Sequence, residues 1–364
     1  MYKSKMMERK ARFFLNASGI FSPEQQRTLL SISGSAEELL NNEAPFRESG
    51  IDQRTDYLKT IERLESEKLY ENLLSRGVKF LLEEDEAYPA SLTFVDTPPH
   101  LLYVKGQLPP AGVCGISMIG TRHPTQYGRK VARGFATRLV EGGLTVISGC
   151  ARGIDSEALW GAIEGGGQVV GVLGTGIEEV YPKENEKLFQ SILSKGALIS
   201  EFPPGAKPLK HHFPWRNRLI SGWGLGLLVV EATVRSGTAG TVRWALDQGK
   251  DVFAIPGPIN SEASRGCHKM IREGAHLVEF PQEIIDIFSE ELKDREKPDE
   301  PEKGVLDPEE DELGLIREPR SIDELMEISG LTYEDLVSKL NRKVVERSAQ
   351  RHAGGRFSLK GDVF

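Results

Sequence analysis

Phe213-Pro-Trp-Arg-Asn-Arg218 interleaves two aromatic rings with two guanidinium groups and an amide, directly after Lys210, His211 and His212. Cations beside aromatics are what single-stranded nucleic acid requires: charge for phosphates and flat faces for unpaired bases, each stacked base contributing about 1–3 kcal/mol. Trp215 serves a helix core equally well. A second group closes an apolar run, Ile119-Gly120-Thr121-Arg122. Here glycine permits close approach, threonine offers a hydroxyl and arginine a two-pronged fork for phosphate. Its plainer reading is a tight turn with a solvent-facing arginine. The next apolar run ends in Ser148-Gly149-Cys-Ala-Arg152-Gly-Ile-Asp155. Asp155 suits the cap of a following helix, whereas Arg152 has no such structural use. Ser236-Gly237-Thr238-Ala-Gly-Thr241 sets small hydroxyl residues and glycines at a helix start, where backbone N–H groups hold anions. Gly174-Thr-Gly176 and Tyr181-Pro182 add one more turn of this kind.

Reactive constellations are missing from the sequence. His211 and His212 are adjacent, and no His-x-x-x-His pair, Ser–His–Asp order or carboxylate pair stands out. The Ser236 loop lacks the Gly-Lys-Ser/Thr of an ATP-cleaving phosphate loop. Cys114, Cys150 and Cys267 are odd in number, widely spaced and free of CxxC pairs, which argues against a disulfide framework or a zinc site and fits a reducing cytosol. Many phosphate donors without a nucleophile or base describe a binding site. No catalytic residue, metal or cofactor is expected.

The elements that must position these groups alternate. Apolar runs at Ile116–Ile119, Leu144–Ser148, Gln168–Leu173, Ala197–Ser200, Gly226–Val230 and Asp251–Ile255 are separated by helical segments near Tyr127–Val140, Ser156–Glu164, Asn185–Ser194 and Thr238–Gln248. Near-continuous apolar strands alternating with helices of about 10–15 residues predict an α/β fold with a doubly wound, mostly parallel sheet, opened by Val113. In such a sheet the strands' carboxyl edge is where ligands bind, and both strand-end arginines fall on that edge. Residues 1–76 read as a helical domain, with Ser22 and Ser35 as helix caps and Thr55–Arg76 as one long charged helix. Residues 77–288 form the α/β domain; Val78–Leu82 is a strand, and Tyr88 to Gly106 an extended connector. Residues 289–312 read as an acidic, disordered linker. Residues 313–364 carry two capping-box helices, from Ser321 and Thr332, and a glycine-tipped hairpin from Arg351 to Leu359, the pattern of a winged helix.

The net charge of −8 seems to oppose a nucleic-acid partner, but its distribution reverses that. Residues 290–312 hold twelve acidic and four basic residues, a net of −8, whereas Val113–Phe280 holds nineteen Lys/Arg against fifteen Asp/Glu, a net of +4. Location decides binding, not the total. No apolar run approaches the ~18 residues of a membrane span, and the N-terminus lacks the apolar stretch of a signal peptide, so a cytoplasmic protein is expected.

In order along the chain, Ile119-Gly-Thr-Arg122, Ser148-Gly-x-Ala-Arg-Gly-Ile-Asp155, Tyr181-Pro-Lys-Glu-Asn185, Ser200-Glu-Phe-Pro203, Phe213-Pro-x-Arg-Asn-Arg218, Val230-Glu-Ala232, Ser236-Gly-Thr, Ala254-Ile-Pro-Gly257 and Arg265-Gly-Cys-His268 resemble the bacterial DNA-processing protein DprA/Smf family over essentially the whole length. The resemblance implies an extended Rossmann-like domain, a variable N-terminal helical domain and a C-terminal winged helix. It implies a non-enzymatic protein that binds single-stranded DNA, forms a homodimer, protects incoming DNA and loads a RecA-type recombinase during natural transformation. Carried over residue by residue, it makes Arg122, Arg152, Lys210, Arg216, Asn217 and Arg218 contacts to DNA. Gly120, Thr121, Ser148, Gly149, Phe213, Ser236, Gly237 and Thr238 complete the pocket. Contacts of this kind are mostly to phosphate, weakly sequence-dependent and strongly salt-dependent. Leu159, where the family commonly has histidine, Val242 in place of a usual alanine, and Gly222-Trp-Gly224 depart from the pattern.

Two other classes compete. An enzyme releasing base from nucleoside monophosphates needs a Gly-Gly pair before the loop and a glutamate on the following helix; this chain continues Val242-Arg-Trp-Ala instead. A duplex-specific factor using residues 321–359 would leave the strand-end arginines without a role.

Overall fold

Six helices precede the first strand: α1 (Tyr2–Ala17), α2 (Pro23–Ser33), α3 (Ala36–Asn41), α4 (Ala44–Ser49), α5 (Arg54–Ser66) and α6 (Leu69–Ser75). The computed structural model describes residues 2–110, 112–293, 320–345, 349–352 and 356–359. Ser22 and Ser35 start helices as their types suggest. Ser22 Oγ accepts from the Gln25 N–H (3.3 Å) and Ser35 Oγ from the Glu38 N–H (3.2 Å). The segment 55–76 is two helices rather than one. The chain breaks at Lys68, whose φ of 50° is left-handed, and Tyr70 turns in to stack on Phe80 at 4.7 Å.

The nine-stranded sheet comprises β1 (Val78–Leu82), β2 (Leu101–Gly106), β3 (Gly115–Ile119), β4 (Thr145–Ser148), β5 (Val169–Val172), β6 (Gly196–Ser200), β7 (Gly226–Val229), β8 (Asp251–Ala254) and β9 (His276–Leu277). Their order is β1-β2-β6-β5-β4-β3-β7-β8-β9. All pairs from β6 to β9 are parallel; β1–β2 and β2–β6 are antiparallel. The connector expected before Val113 is therefore partly sheet: β2 docks beside β6 and brings β1 with it. The fold is a Rossmann-like, doubly wound sheet extended by an antiparallel edge.

Strands β3 to β7 are buried along their whole length, which only a sheet covered on both faces allows. Helices α7 (Gln126–Glu141), α8 (Ile154–Glu164) and α9 (Glu186–Lys195) cover one face. Helices α10 (His212–Trp223), α11 (Thr238–Asp247) and α12 (Glu262–Arg272) cover the other, with Tyr88, Leu92 and Val95 from the segment after β1. β2 shows the period of two: Leu101 and Tyr103 enter the first core, Leu102 and Val104 the second. The N-terminal helices share the first core. Phe13 packs 5.0 Å from Phe80, the Tyr103 hydroxyl donates to Asn16 Oδ1 (2.8 Å), and Asn16 Nδ2 donates to the Glu201 carbonyl (3.0 Å).

Helices α13 (Pro281–Ile287) and α14 (Ser289–Lys293) close the α/β part. The first five residues of the expected linker are thus helical, and 294–312 lies outside the described residues. Beyond it come β10 (Arg320–Ser321), α15 (Ile322–Ser329), α16 (Tyr333–Val345), β11 (Ala349–His352) and β12 (Arg356–Leu359), the strands ordered β10-β12-β11. Ser321 and Glu324 form the capping box expected of them, and Thr332 Oγ1 accepts from the Asp335 N–H (3.3 Å). Leu325, Leu336, Leu340 and Phe357 form a separate small core, and Phe357 stacks on Phe94 of the α/β domain with ring centres 6.2 Å apart. No helix among the described residues is long and apolar enough to cross a membrane.

Candidate nucleic-acid interface

The chain leaves β3 through β4, β5 and β6 to one side, then returns to β7 on the other side of β3. Strand-end loops therefore gather at one edge, and the N-terminal half of α10 lies across the ends of β4 and β5. The loop after β3 is held tightly. Gly153, N-terminal to α8 with φ of 82°, packs where any Cβ would meet the Thr121 carbonyl at 2.4 Å and the Arg122 carbonyl carbon at 2.8 Å. The Ile154 N–H donates to the Thr121 carbonyl (3.2 Å), and the Thr121 N–H to the Glu231 carbonyl (2.7 Å). The two strand-end motifs thus brace each other, and Arg122 projects into solvent.

Arg122 is exposed and forms no ion pair among the described residues; its guanidinium lies over the Phe213 ring, 5.6 Å from the centroid. Phe213 is half-buried beside Gly174, whose hydrogen leaves room for the ring, and Tyr181 packs tilted beside it with ring centres 5.5 Å apart. A cation over a half-exposed aromatic pair offers a phosphate contact and a stacking face within one base step. Lys210 is exposed just upstream, and Gly120 and Thr121 are half-buried. Asn217 is half-exposed, and its Oδ1 accepts from Arg216 Nε (3.3 Å). Arg152 is exposed but draws on Glu184, 2.7 Å away. An exposed pair of this sort is weak and yields readily to a phosphate.

Two of the arginines expected to touch DNA are placed elsewhere. Arg216 is buried; its Nη1 donates to the carbonyls of Gly149 (3.0 Å) and Val172, tying the ends of β4 and β5 to α10. Burial opposes its charge, and the neighbouring buried Asp155 favours it. Arg218 is completely buried in a two-pronged ion pair with Glu201, both N–O distances being 2.6 Å. Its remaining N–H groups reach the carbonyls of Asp96 (2.9 Å) and Thr97 (2.9 Å), and its plane lies 4.2 Å from the Trp215 ring. Helical geometry explains the split. Arg216 and Arg218 sit on turns of α10 that face the sheet and the 95–97 loop, whereas Phe213 lies at the helix start, on the rim. Trp215 is half-buried and lies against the Arg218 guanidinium instead of facing the rim.

The other expected site residues divide similarly. Ser148 is buried, its hydroxyl donating to the Met118 carbonyl (2.7 Å), and Gly149 is buried beneath Arg216. Asp155 does not cap α8, whose N-cap is Gly153. Its carboxylate turns back to the Ala151 N–H (3.4 Å), and burial raises its pKa against the pull of Arg216. His212 stacks on Phe202 at 4.2 Å and meets the Gly174 carbonyl; burial, then the neighbouring His211, hold its pKa below the usual histidine range. Ser236, Gly237 and Thr238 lie across β3 from Phe213, at the start of α11. Thr238 is buried, and Ser236 Oγ is shielded from solvent with no hydrogen-bond partner among the described residues. Tyr181 and Glu231 belong to this edge and were not singled out as site residues. The aromatic-Pro pair at Tyr181-Pro182 signalled the first; nothing in the local sequence signalled that Glu231 turns inward.

Residues 79–289 match the family described as DNA recombination-mediator protein A. Protein Smf of Escherichia coli K12 is 40% identical over 233 residues, 64% of this chain and 62% of that one, so the match spans about three-fifths of that relative's length. The crystal structure of DNA processing protein A from Streptococcus pneumoniae superimposes with a TM-score of 0.67 at 32% identity, covering 75% of this chain and 95% of that one. DNA processing protein A of Helicobacter pylori, whose structure was described for its single-stranded DNA binding mode, gives a TM-score of 0.53 at 26% identity, covering 58% of this chain and 96% of that one. The chain belongs to the DNA recombination-mediator protein A family, the DprA/Smf proteins.

Proposed function

We propose that the sheet's carboxyl edge holds single-stranded DNA, with Arg122, Lys210 and a displaced Arg152 on phosphates, Phe213 and Tyr181 under a base, and Asn217 offering its amide. Gly120, Thr121, Gly149 and the start of α11 shape the groove, while Arg216 and Arg218 support it from inside. The single observation that carries this reading is the exposed Arg122 guanidinium above the half-exposed Phe213 ring, on an edge braced by Gly153 and Glu231. The single-strand binding of the Helicobacter pylori relative supports it. Acting as a homodimer in the cytoplasm, the protein would shield incoming single strands and deliver them to a RecA-type recombinase in DNA uptake and recombination, without chemistry of its own. The C-terminal unit, with two helices and a three-stranded sheet, is read as a winged helix that supports this task through protein or duplex contacts.

Fluorescence anisotropy with one labelled oligonucleotide, single-stranded or annealed, tests the reading. The single strand should bind at least about tenfold more tightly, a difference of ~1.4 kcal/mol. Equal affinity for the duplex would move the site to the C-terminal unit.

A further inference from the structure

In open parallel sheets the ligand phosphate sits at the topological switch point, against the N-terminus of the helix that follows the first strand. Here that point lies between β3 and β7, and the helix is α7. The position is already occupied by the protein. Glu231, at the end of β7 and 1% exposed, directs its carboxylate at the start of α7. Its Oε2 accepts from the Thr125 backbone N–H (2.9 Å) and its Oε1 from the Thr125 hydroxyl (2.6 Å). Thr125 is the N-cap of α7, and its Oγ1 accepts in turn from the Gly128 N–H (3.1 Å). Gly128 makes the room: a Cβ there would lie 2.1 Å from Glu231 Oε2. Glu231 also holds the loop's other end, since its main-chain carbonyl accepts from the Thr121 N–H (2.7 Å).

We infer that Glu231 is an internal anion that takes the nucleotide-phosphate position of the fold. It bars free nucleotides from the switch point and, as a positioning residue, fastens both ends of loop 121–125 so that Arg122 stands out at the rim. The negative charge satisfies the positive end of α7 and the donors of Thr125 at once, so the donor end that a mononucleotide phosphate would use at the first helix is already taken. A polyanion then meets only the rim, where charge repeats along a strand instead of ending at one phosphate. The part concerning Arg122 rests on the DNA-binding reading above; the exclusion of free anions does not.

The test uses the full chain with Glu231→Ala and Glu231→Gln. Inorganic phosphate is the first probe. It should raise the melting temperature of Glu231→Ala beyond the increment seen for wild type, because only the variant exposes an anion site that the folded state alone can fill. For the labelled single strand, Glu231→Ala should lose about tenfold in affinity. Its salt slope should match wild type, since no phosphate contact is deleted. Millimolar acetate, but not chloride at the same ionic strength, should restore the affinity by refilling the cavity. Glu231→Gln keeps the volume and one acceptor oxygen, which can still accept from the Thr125 N–H, but it removes the charge and turns an amide NH2 toward the Thr125 hydroxyl, which loses its acceptor. It should lose affinity without gaining phosphate binding, and it carries the test should the alanine variant not fold. Equal phosphate response in wild type and a folded alanine variant, or a glutamine variant that binds DNA like wild type, would overturn the inference. A wild type that binds no single strand would overturn the DNA reading alone and leave the phosphate comparison to decide the role of Glu231.

Discussion

Replacing Arg218 by alanine separates the structural and functional readings of the Arg-Asn-Arg run. Its guanidinium is fully buried against Glu201, itself only 5% exposed, with both N–O distances at 2.6 Å. Truncation would leave the Glu201 carboxylate buried without its cation, which costs about 3–5 kcal/mol. The carbonyls of Asp96 and Thr97 also lose their donors, and Trp215 its stacked plane. At about 2–4 °C per kcal/mol for a domain of this size, the melting temperature should fall by roughly 6–20 °C. The assay is thermal unfolding followed by circular dichroism, beside DNA anisotropy at a temperature where the variant is folded. Affinity there should stay within about threefold of wild type, a difference of ~0.7 kcal/mol. Removing both charges together, as Arg218→Met with Glu201→Leu, should recover most of the lost stability, because the uncompensated charge is the main penalty. A variant that melts like wild type but no longer binds the single strand would refute this reasoning and return Arg218 to the DNA surface.

Phe213→Ala should weaken single-strand binding by about 1–3 kcal/mol, as loss of one stacked base requires, with little change in salt slope; anisotropy across a salt series checks both. His100 is buried with its Nε2 2.6 Å from Gln26 Oε1, and burial, aided by Arg12 and Arg27, holds its pKa down at about 3. Because the folded pKa lies below the unfolded one, this residue costs nothing above about pH 6.5 and destabilises progressively as pH falls toward about 3, by about 2 kcal/mol near pH 5. Melting curves of wild type and His100→Gln should therefore converge as acid is added, and identical pH dependences would contradict the assignment. Gly128→Ala should destabilise by about 1–3 kcal/mol, since the added methyl meets the buried Glu231 carboxylate; an unchanged denaturation midpoint would show that the carboxylate moves freely.

Much of this architecture was legible before any coordinates. Runs such as Val169–Val172 and Gly226–Val229 are apolar throughout because both sheet faces are covered, and that pattern alone distinguishes a parallel sheet from an amphipathic one. The caps at Ser22, Ser35 and Ser321 are local chemistry, so their types were sufficient. β2 was harder to read. The sequence reads it only as part of an extended connector, because its docking beside β6 depends on a partner about ninety residues away. The break at Lys68 was hidden because a left-handed lysine has no sequence signature and Tyr70 is drawn inward by Phe80. In the site, residue type showed what Arg122 and Phe213 could do, since both stand at strand and helix ends facing solvent. Types could not tell which arginines of α10 face inward, because a guanidinium suits a buried carboxylate as well as a phosphate. Glu231 was invisible for the same reason: only the fold shows that its acid faces a helix N-terminus.

The central claim is that the strand runs over Arg122 at the sheet's carboxyl edge. The measurement that tests it most directly is the salt dependence of single-strand affinity for wild type and Arg122→Ala. One lost phosphate contact should lower the slope of log K against log salt by roughly 0.7 and weaken binding, whatever the oligonucleotide sequence. A variant with the wild-type slope and affinity would place the DNA elsewhere on the protein.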